Sequence, residues 1–226
     1  MRLARVTVFA GHYGSGKTSL AIAYALWARQ QKDPVVLYDL DIVNPYFCMA
    51  GATETLAEVG IRLVASRFVN TNTDAPSLPA ETHALFDDPS LTGIIDLGGD
   101  DRGALALGRY AGLLQSEGGY EMLLVVNQYR PLTRSFDELR DIKNEIETAS
   151  RVRFTGMVNN SNLATETTLE DVMATANFAT EAAVKLGLPV KMTALERRLV
   201  PSDKIAVAKR ALGEIFPLDL YKIPLW

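Results

Sequence analysis

The chain has 226 residues, 48% of them apolar, and its 23 basic and 27 acidic residues leave a formal charge of −4. That is enough apolar chain for the core of one domain, and the mild acidity counts against an extended nucleic-acid surface, which needs clustered Lys and Arg. The single cysteine, Cys48, cannot form an internal disulfide, and no paired Cys or His spacing marks a structural metal. With no secretory leader and no apolar run long enough for a bilayer, the expected setting is the cytoplasm.

The first apolar run, Leu3 to Ala10, reads as a strand, Gly11 opens a glycine-rich loop, and Thr18 to about Gln30 has helical apolar spacing. A strand at Pro34 to Asp39 precedes the turn-rich stretch Asp41 to Phe47. A short helix around Glu54 to Val59 and a strand at Ile61 to Ala65 follow, and Ser66 to Pro79, with its Asn, Thr, Asp and Pro residues, reads as a long loop. Ala80 to Asp87 is expected to be helical, Gly93 to Leu97 a strand, Ala104 to Gln115 a helix and Glu121 to Val126 a very apolar strand.

From about Phe136 to Thr148, the side chains of Phe136, Leu139, Ile142, Ile146 and Ala149 share one helical face, and Ser135 with Glu138 has capping-box spacing. Phe154 to Val158 is the next strand. Thr167 with Glu170 predicts the cap of one long Ala-rich helix reaching about Leu186, followed by a short strand at Leu188 to Thr193 and a helix from Ser202 to Ile215 ended by Pro217. Strands alternating with helices of this length predict right-handed crossovers and therefore a three-layer α/β fold, with a mostly parallel sheet and helices on both faces. Residues 1–226 are expected to form one such domain, with 218–226 as an apolar tail packed against it. Pro217 and Pro224 argue against a regular membrane helix in that tail.

The strongest chemical signal is Gly11-His12-Tyr13-Gly14-Ser15-Gly16-Lys17-Thr18, a full GxxxxGK[ST] phosphate loop between an apolar strand and a helix. Gly11, Gly14 and Gly16 let the backbone curl so that consecutive N–H groups, with those of the helix start at Ser19, face phosphates. Lys17 is expected to bridge the β and γ phosphates and Thr18 to offer its hydroxyl to Mg²⁺. A dinucleotide fingerprint is disfavoured, because Lys17 and Thr18 have no role in it.

Two acidic strand ends accompany the loop. Asp39 and Asp41 end the second strand: Asp41 suits orientation of an attacking water or of a metal-bound water, Asp39 suits support of Mg²⁺ or of a loop, and the plain alternative is a strand terminator. Asp96, delivered by Ile94-Ile95 just before Gly98-Gly99, is naturally placed to hold Mg²⁺ through a bound water, with glycine amides placed to sense a γ phosphate. Asn159, at the end of a strand, offers an amide donor and acceptor that can read a purine edge, whereas Asn159 and Asn160 together also read as turn formers.

Together these motifs resemble the MinD/ParA family of ATPases, within the wider group containing nitrogenase iron protein and dethiobiotin synthetase, across nearly the whole chain. The resemblance implies Mg²⁺-dependent ATP binding and hydrolysis, catalytic roles for Lys17 and for Asp41 as the water-orienting aspartate, and adenine reading by Asn159. It departs at His12, where many MinD/ParA members carry a lysine that reaches across a nucleotide-sandwich dimer. A nucleotide-dependent homodimer and a protein effector are the partners implied, and direct nucleic-acid binding is not expected. The expected function is thus an ATP-hydrolysing switch, with an ATP-dependent small-molecule kinase or ligase, or a non-hydrolysing nucleotide sensor, as the alternatives. Asn127 to Thr133, polar and aromatic after the most apolar strand, is a candidate effector or substrate loop, and Asn44 to Cys48 a candidate first switch.

Overall fold

Runs of Val, Ile and Leu buried on both faces belong in the middle of a parallel sheet, and that is where the chain puts them. In the computed structural model, which describes residues 1–40, 52–65, 81–99, 101–116, 119–199 and 205–219, eight strands form one sheet. They are β1 (Val6–Ala10), β2 (Val35–Leu40), β3 (Arg62–Ala65), β4 (Thr92–Leu97), β5 (Tyr120–Val126), β6 (Gly156–Asn159), β7 (Val190–Glu196) and β8 (Ile215–Leu218). Their order is β3-β2-β4-β1-β5-β6-β7-β8, and every neighbouring pair is parallel.

The helices are α1 (Lys17–Gln31), α2 (Thr53–Glu58), α3 (Glu81–Asp87), α4 (Asp101–Gly108), α5 (Ala111–Ser116), α6 (Phe136–Ser150), α7 (Leu169–Ala174), α8 (Ala176–Leu186) and α9 (Ile205–Leu212). Strand alternation divides the core. Phe9, Leu37, Ile94, Val125 and Val158 face α1 and α2, where Leu20, Tyr24 and Leu56 meet them. On the opposite face Val8, Tyr38, Ile95, Leu124 and Met157 pack with Leu85 of α3, Leu107 of α4, Leu114 of α5, Leu139 of α6 and Ala182 of α8. The three-layer, mostly parallel architecture expected from the sequence is therefore the one observed. Among the described residues no helix is long and apolar enough to cross a membrane.

Several boundaries are corrected. The stretch Ala104 to Gln115 is two helices, because the chain turns to seat the buried Tyr110 ring against Phe86 at 5.3 Å. The capping box at α6 is as expected from Ser135 and Glu138, but the next one uses Thr168 and Asp171 instead of Thr167 and Glu170. Thr167 is buried instead, and its hydroxyl donates to the Ala164 carbonyl and accepts from the Leu163 N–H. The long Ala-rich helix breaks at Thr175, and the Ser202 to Ile215 helix is shorter: α9 ends at Leu212 and β8 follows. Pro217 is tolerated in β8 because that strand lies at the sheet edge, where a missing N–H breaks no ladder. Leu218, assigned to the tail, belongs to β8; residues 220–226 lie outside the described residues.

Candidate nucleotide site

The site forms at the carboxyl edge of β1, where the sheet changes direction: β2, β3 and β4 lie on one side of β1, and β5 to β8 on the other. The loop after β1 closes a turn through the Ser15 N–H to the His12 carbonyl, 3.2 Å, and runs into α1 through Gly16. Gly16 sits at the helix cap in a left-handed conformation, φ 86°, which glycine adopts without steric cost. It has no side chain to occupy the first-turn N–H groups, and that turn carries no acidic residue, so the amides and the helix dipole favour an anion.

Lys17 is 5% exposed, and its ammonium donates to the His12 carbonyl at 3.1 Å, folded back over the loop. His12 Nδ1 lies 2.9 Å from the Tyr13 carbonyl, and the Tyr13 ring is 66% exposed beside it. Ser15 is fully buried, Gly14 is exposed, and Gly11, Thr18 and Ser19 complete the loop and first turn.

Thr18 donates its hydroxyl to Oδ2 of Asp96 at 2.6 Å, linking two motifs 78 residues apart. Asp39 and Asp96 are cross-strand partners on β2 and β4, buried to 2% and 1% exposure. By alternation both emerge on the α1 face, in line with Leu37 and Ile94. Among the described residues no three His, Cys, Asp or Glu side chains converge. One hydroxyl with one or two carboxylates beside a phosphate loop fits Mg²⁺, which takes few protein ligands together with substrate phosphates.

Gly99 lies against the phosphate loop: a Cβ there would stand 2.7 Å from the Tyr13 N and 3.0 Å from the Gly11 carbonyl oxygen. The segment leaving Asp96 therefore touches the loop backbone directly, a contact that no sequence motif announces. Asp41, Asn44 to Cys48, Ser66 to Pro79 and Asp100 lie outside the described residues.

At the ends of β5 and β6 the structure builds a polar network. Asn159, 2% exposed, donates through Nδ2 to Thr175 Oγ1 at 2.9 Å, and its Oδ1 accepts from the Ser161 hydroxyl at 2.7 Å and the Ser161 N–H at 3.2 Å. Both ends of this amide are engaged within the chain. Asn160 instead turns to the phosphate loop, donating Nδ2 to the Ser15 carbonyl at 2.7 Å. Asn127 joins the network by accepting from the Tyr129 and Asn162 N–H groups. The Asn127 to Thr133 loop is tied down by the Thr133 hydroxyl donating to Asn127 O at 2.5 Å and the Tyr129 hydroxyl to Asp171 O at 2.8 Å, while Arg130 is exposed.

No family model matches the chain, and no curated protein does. Among solved structures, FtsY from Mycoplasma mycoides matches at TM-score 0.51 and 18% identity, covering 92% of this chain and 66% of its own. The cell division protein FtsY from Thermotoga maritima matches at TM-score 0.53 and 21% identity, covering 92% and 68%. This chain thus spans about two thirds of the length of the FtsY chains it matches, and at such identities the likeness is one of fold. The expectation of MinD/ParA membership is corrected by these matches, and with it the ATP-hydrolysing switch, the ATPase activity, the ATP-dependent alternatives and ATP as the bound nucleotide. A phosphate loop and acidic strand ends are shared by many P-loop proteins and do not select a branch, and His12 already departed from the MinD/ParA pattern.

Proposed function

We propose that the chain is a P-loop nucleoside triphosphate switch of the FtsY, SRP-receptor GTPase type, binding GTP with Mg²⁺ and hydrolysing it in the cytoplasm. The observation that carries the switch reading is the Thr18–Asp96 hydrogen bond, because it joins the phosphate loop to the strand end leading into Gly98 and Gly99; what supports the GTPase type is the likeness in fold to the FtsY structures. Loop amides from Gly11 to Ser19 and the Lys17 ammonium hold the phosphates, Lys17 exchanging the His12 carbonyl for a phosphate oxygen. Thr18, Asp96 and Asp39 hold Mg²⁺, directly or through water, and the cation supplies neutralisation of phosphate charge. Asp41, two residues beyond Asp39, orients the attacking water. The base lies near the carboxyl ends of β5 and β6, beside Asn159 and Asn160.

Loss of the terminal phosphate is read by Gly99, which lies against Tyr13, and passes into α4, whose first residues follow at once. The exposed Tyr13 ring supports a nucleotide-dependent partner surface beside the loop, for a second copy or a protein effector. Titration with a fluorescent GTP analogue tests the reading. Micromolar or tighter binding that needs Mg²⁺ and Lys17, and that GTP displaces better than ATP, is expected; no binding, or equal displacement by ATP, contradicts it.

A further inference from the structure

Asn160 is 4% exposed and lies just beyond β6, with its N–H held by the Val126 carbonyl of the neighbouring strand at 2.8 Å. Its side chain reaches across to the phosphate loop, where Nδ2 donates to the Ser15 carbonyl at 2.7 Å over a sequence separation of 145 residues. The same Nδ2 fills the place that a Cβ on residue 16 would occupy. The Asn160 carbonyl in turn accepts from Asn162 Nδ2 at 2.7 Å, which fixes the backbone from which the side chain projects.

We propose that Asn160 is a positioning residue of the nucleotide site: by holding the Ser15 carbonyl and filling the space beside Gly16, it turns the Gly16, Lys17 and Thr18 amides toward the phosphates. The geometry gives the reason. A peptide unit has its C=O and the following N–H on opposite sides, so fixing the Ser15 oxygen toward Asn160 directs the Gly16 N–H away from β6. A glycine at φ 86° has no side chain to hold that orientation itself. The buried Asn160 amide supplies the constraint, so the end of β6 sets the shape of a loop that follows β1. Preorganised donors need no rearrangement when the anion arrives.

The proposal rests on the nucleotide-site reading, and its test separates the two. Asn160→Ala and the isosteric Asn160→Asp, which has no Nδ2 donor, are compared with wild type in hydrogen exchange of the nucleotide-free protein and in GTP and GDP binding. The expected result is faster exchange confined to residues 12–18, with GTP and GDP affinities both lowered about tenfold, equal to about 1.4 kcal/mol. Unchanged exchange in the loop, or a rise spread across β5 and β6 with no affinity loss in either variant, overturns the positioning role. Faster loop exchange in the variants together with a wild type that binds neither nucleotide overturns the nucleotide-site reading while leaving the Asn160 constraint on the loop intact.

Discussion

The hydroxyl of Thr18 donates to Oδ2 of Asp96 at 2.6 Å, so the residue that follows the phosphate-loop lysine is already paired with the acidic end of β4. A hydroxyl held by a buried carboxylate is poised for a divalent cation, and both partners are oxygen ligands of the kind Mg²⁺ takes. Thr18→Ala and Asp96→Asn are expected to reduce Mg²⁺-dependent GTP affinity by tenfold or more, about 1.4 kcal/mol, while binding in EDTA changes little. Titrations with and without Mg²⁺ check this.

Gly99 carries the second prediction. A methyl group there meets the Tyr13 N at 2.7 Å, closer than packed atoms allow, so the loop or the segment after β4 must shift. Gly99→Ala is expected to keep the fold but to slow steady-state phosphate release by about tenfold, a barrier change of about 1.4 kcal/mol. Wild-type turnover in this variant would show that the contact is passive.

Glu147 gives a stability prediction independent of the nucleotide. Burial pushes its pKa up, but the Phe154 N–H at 2.9 Å, Arg153 at 2.7 Å and Lys143 at 3.0 Å outweigh this, leaving the carboxyl below its ordinary value. A depressed carboxylate pKa stabilises the fold above the ordinary glutamate range, and that contribution is lost as pH falls through the folded-state pKa. Glu147→Gln is therefore expected to cost about 1–3 kcal/mol at neutral pH. The urea midpoints of variant and wild type should draw together as the pH falls below the ordinary glutamate range.

Thr175 interrupts a helix in order to accept from Asn159 Nδ2 and donate to the Val172 carbonyl at 2.7 Å. Thr175→Val keeps the shape and leaves a buried amide without its acceptor, at a cost of about 1–3 kcal/mol. Thermal unfolding measures the loss; an unchanged melting temperature would mean that the network repacks.

Why some of this was legible in the sequence and some was not follows from range. The phosphate loop, the strand carrying Asp96 and the Ser135 cap are local patterns, in which spacing alone carries the chemistry. β8 was hidden because Ile215 to Leu218 is short and contains Pro217, which reads as a helix ender unless the strand is known to lie at an edge. The helix break at Thr175 depends on Asn159, 16 residues away. The contacts of Gly99 with Tyr13 and of Asn160 with Ser15 depend on the order of strands in the sheet, with β4 next to β1 and β6 one strand beyond β5, and no local motif encodes that. Strand parity held one usable clue: Val158 faces α1, so a residue two positions on, Asn160, was the asparagine aimed at the loop.

The most direct measurement compares hydrogen exchange of residues 11–18 and 98–108 in the free protein, with Mg²⁺ and GDP, and with Mg²⁺ and a non-hydrolysable GTP analogue. A switch requires protection of 11–18 by both nucleotides and of 98–108 by the triphosphate alone. Equal protection of 98–108 by both, or none at either segment, would contradict a triphosphate-sensing link from the phosphate loop through Gly99 to α4.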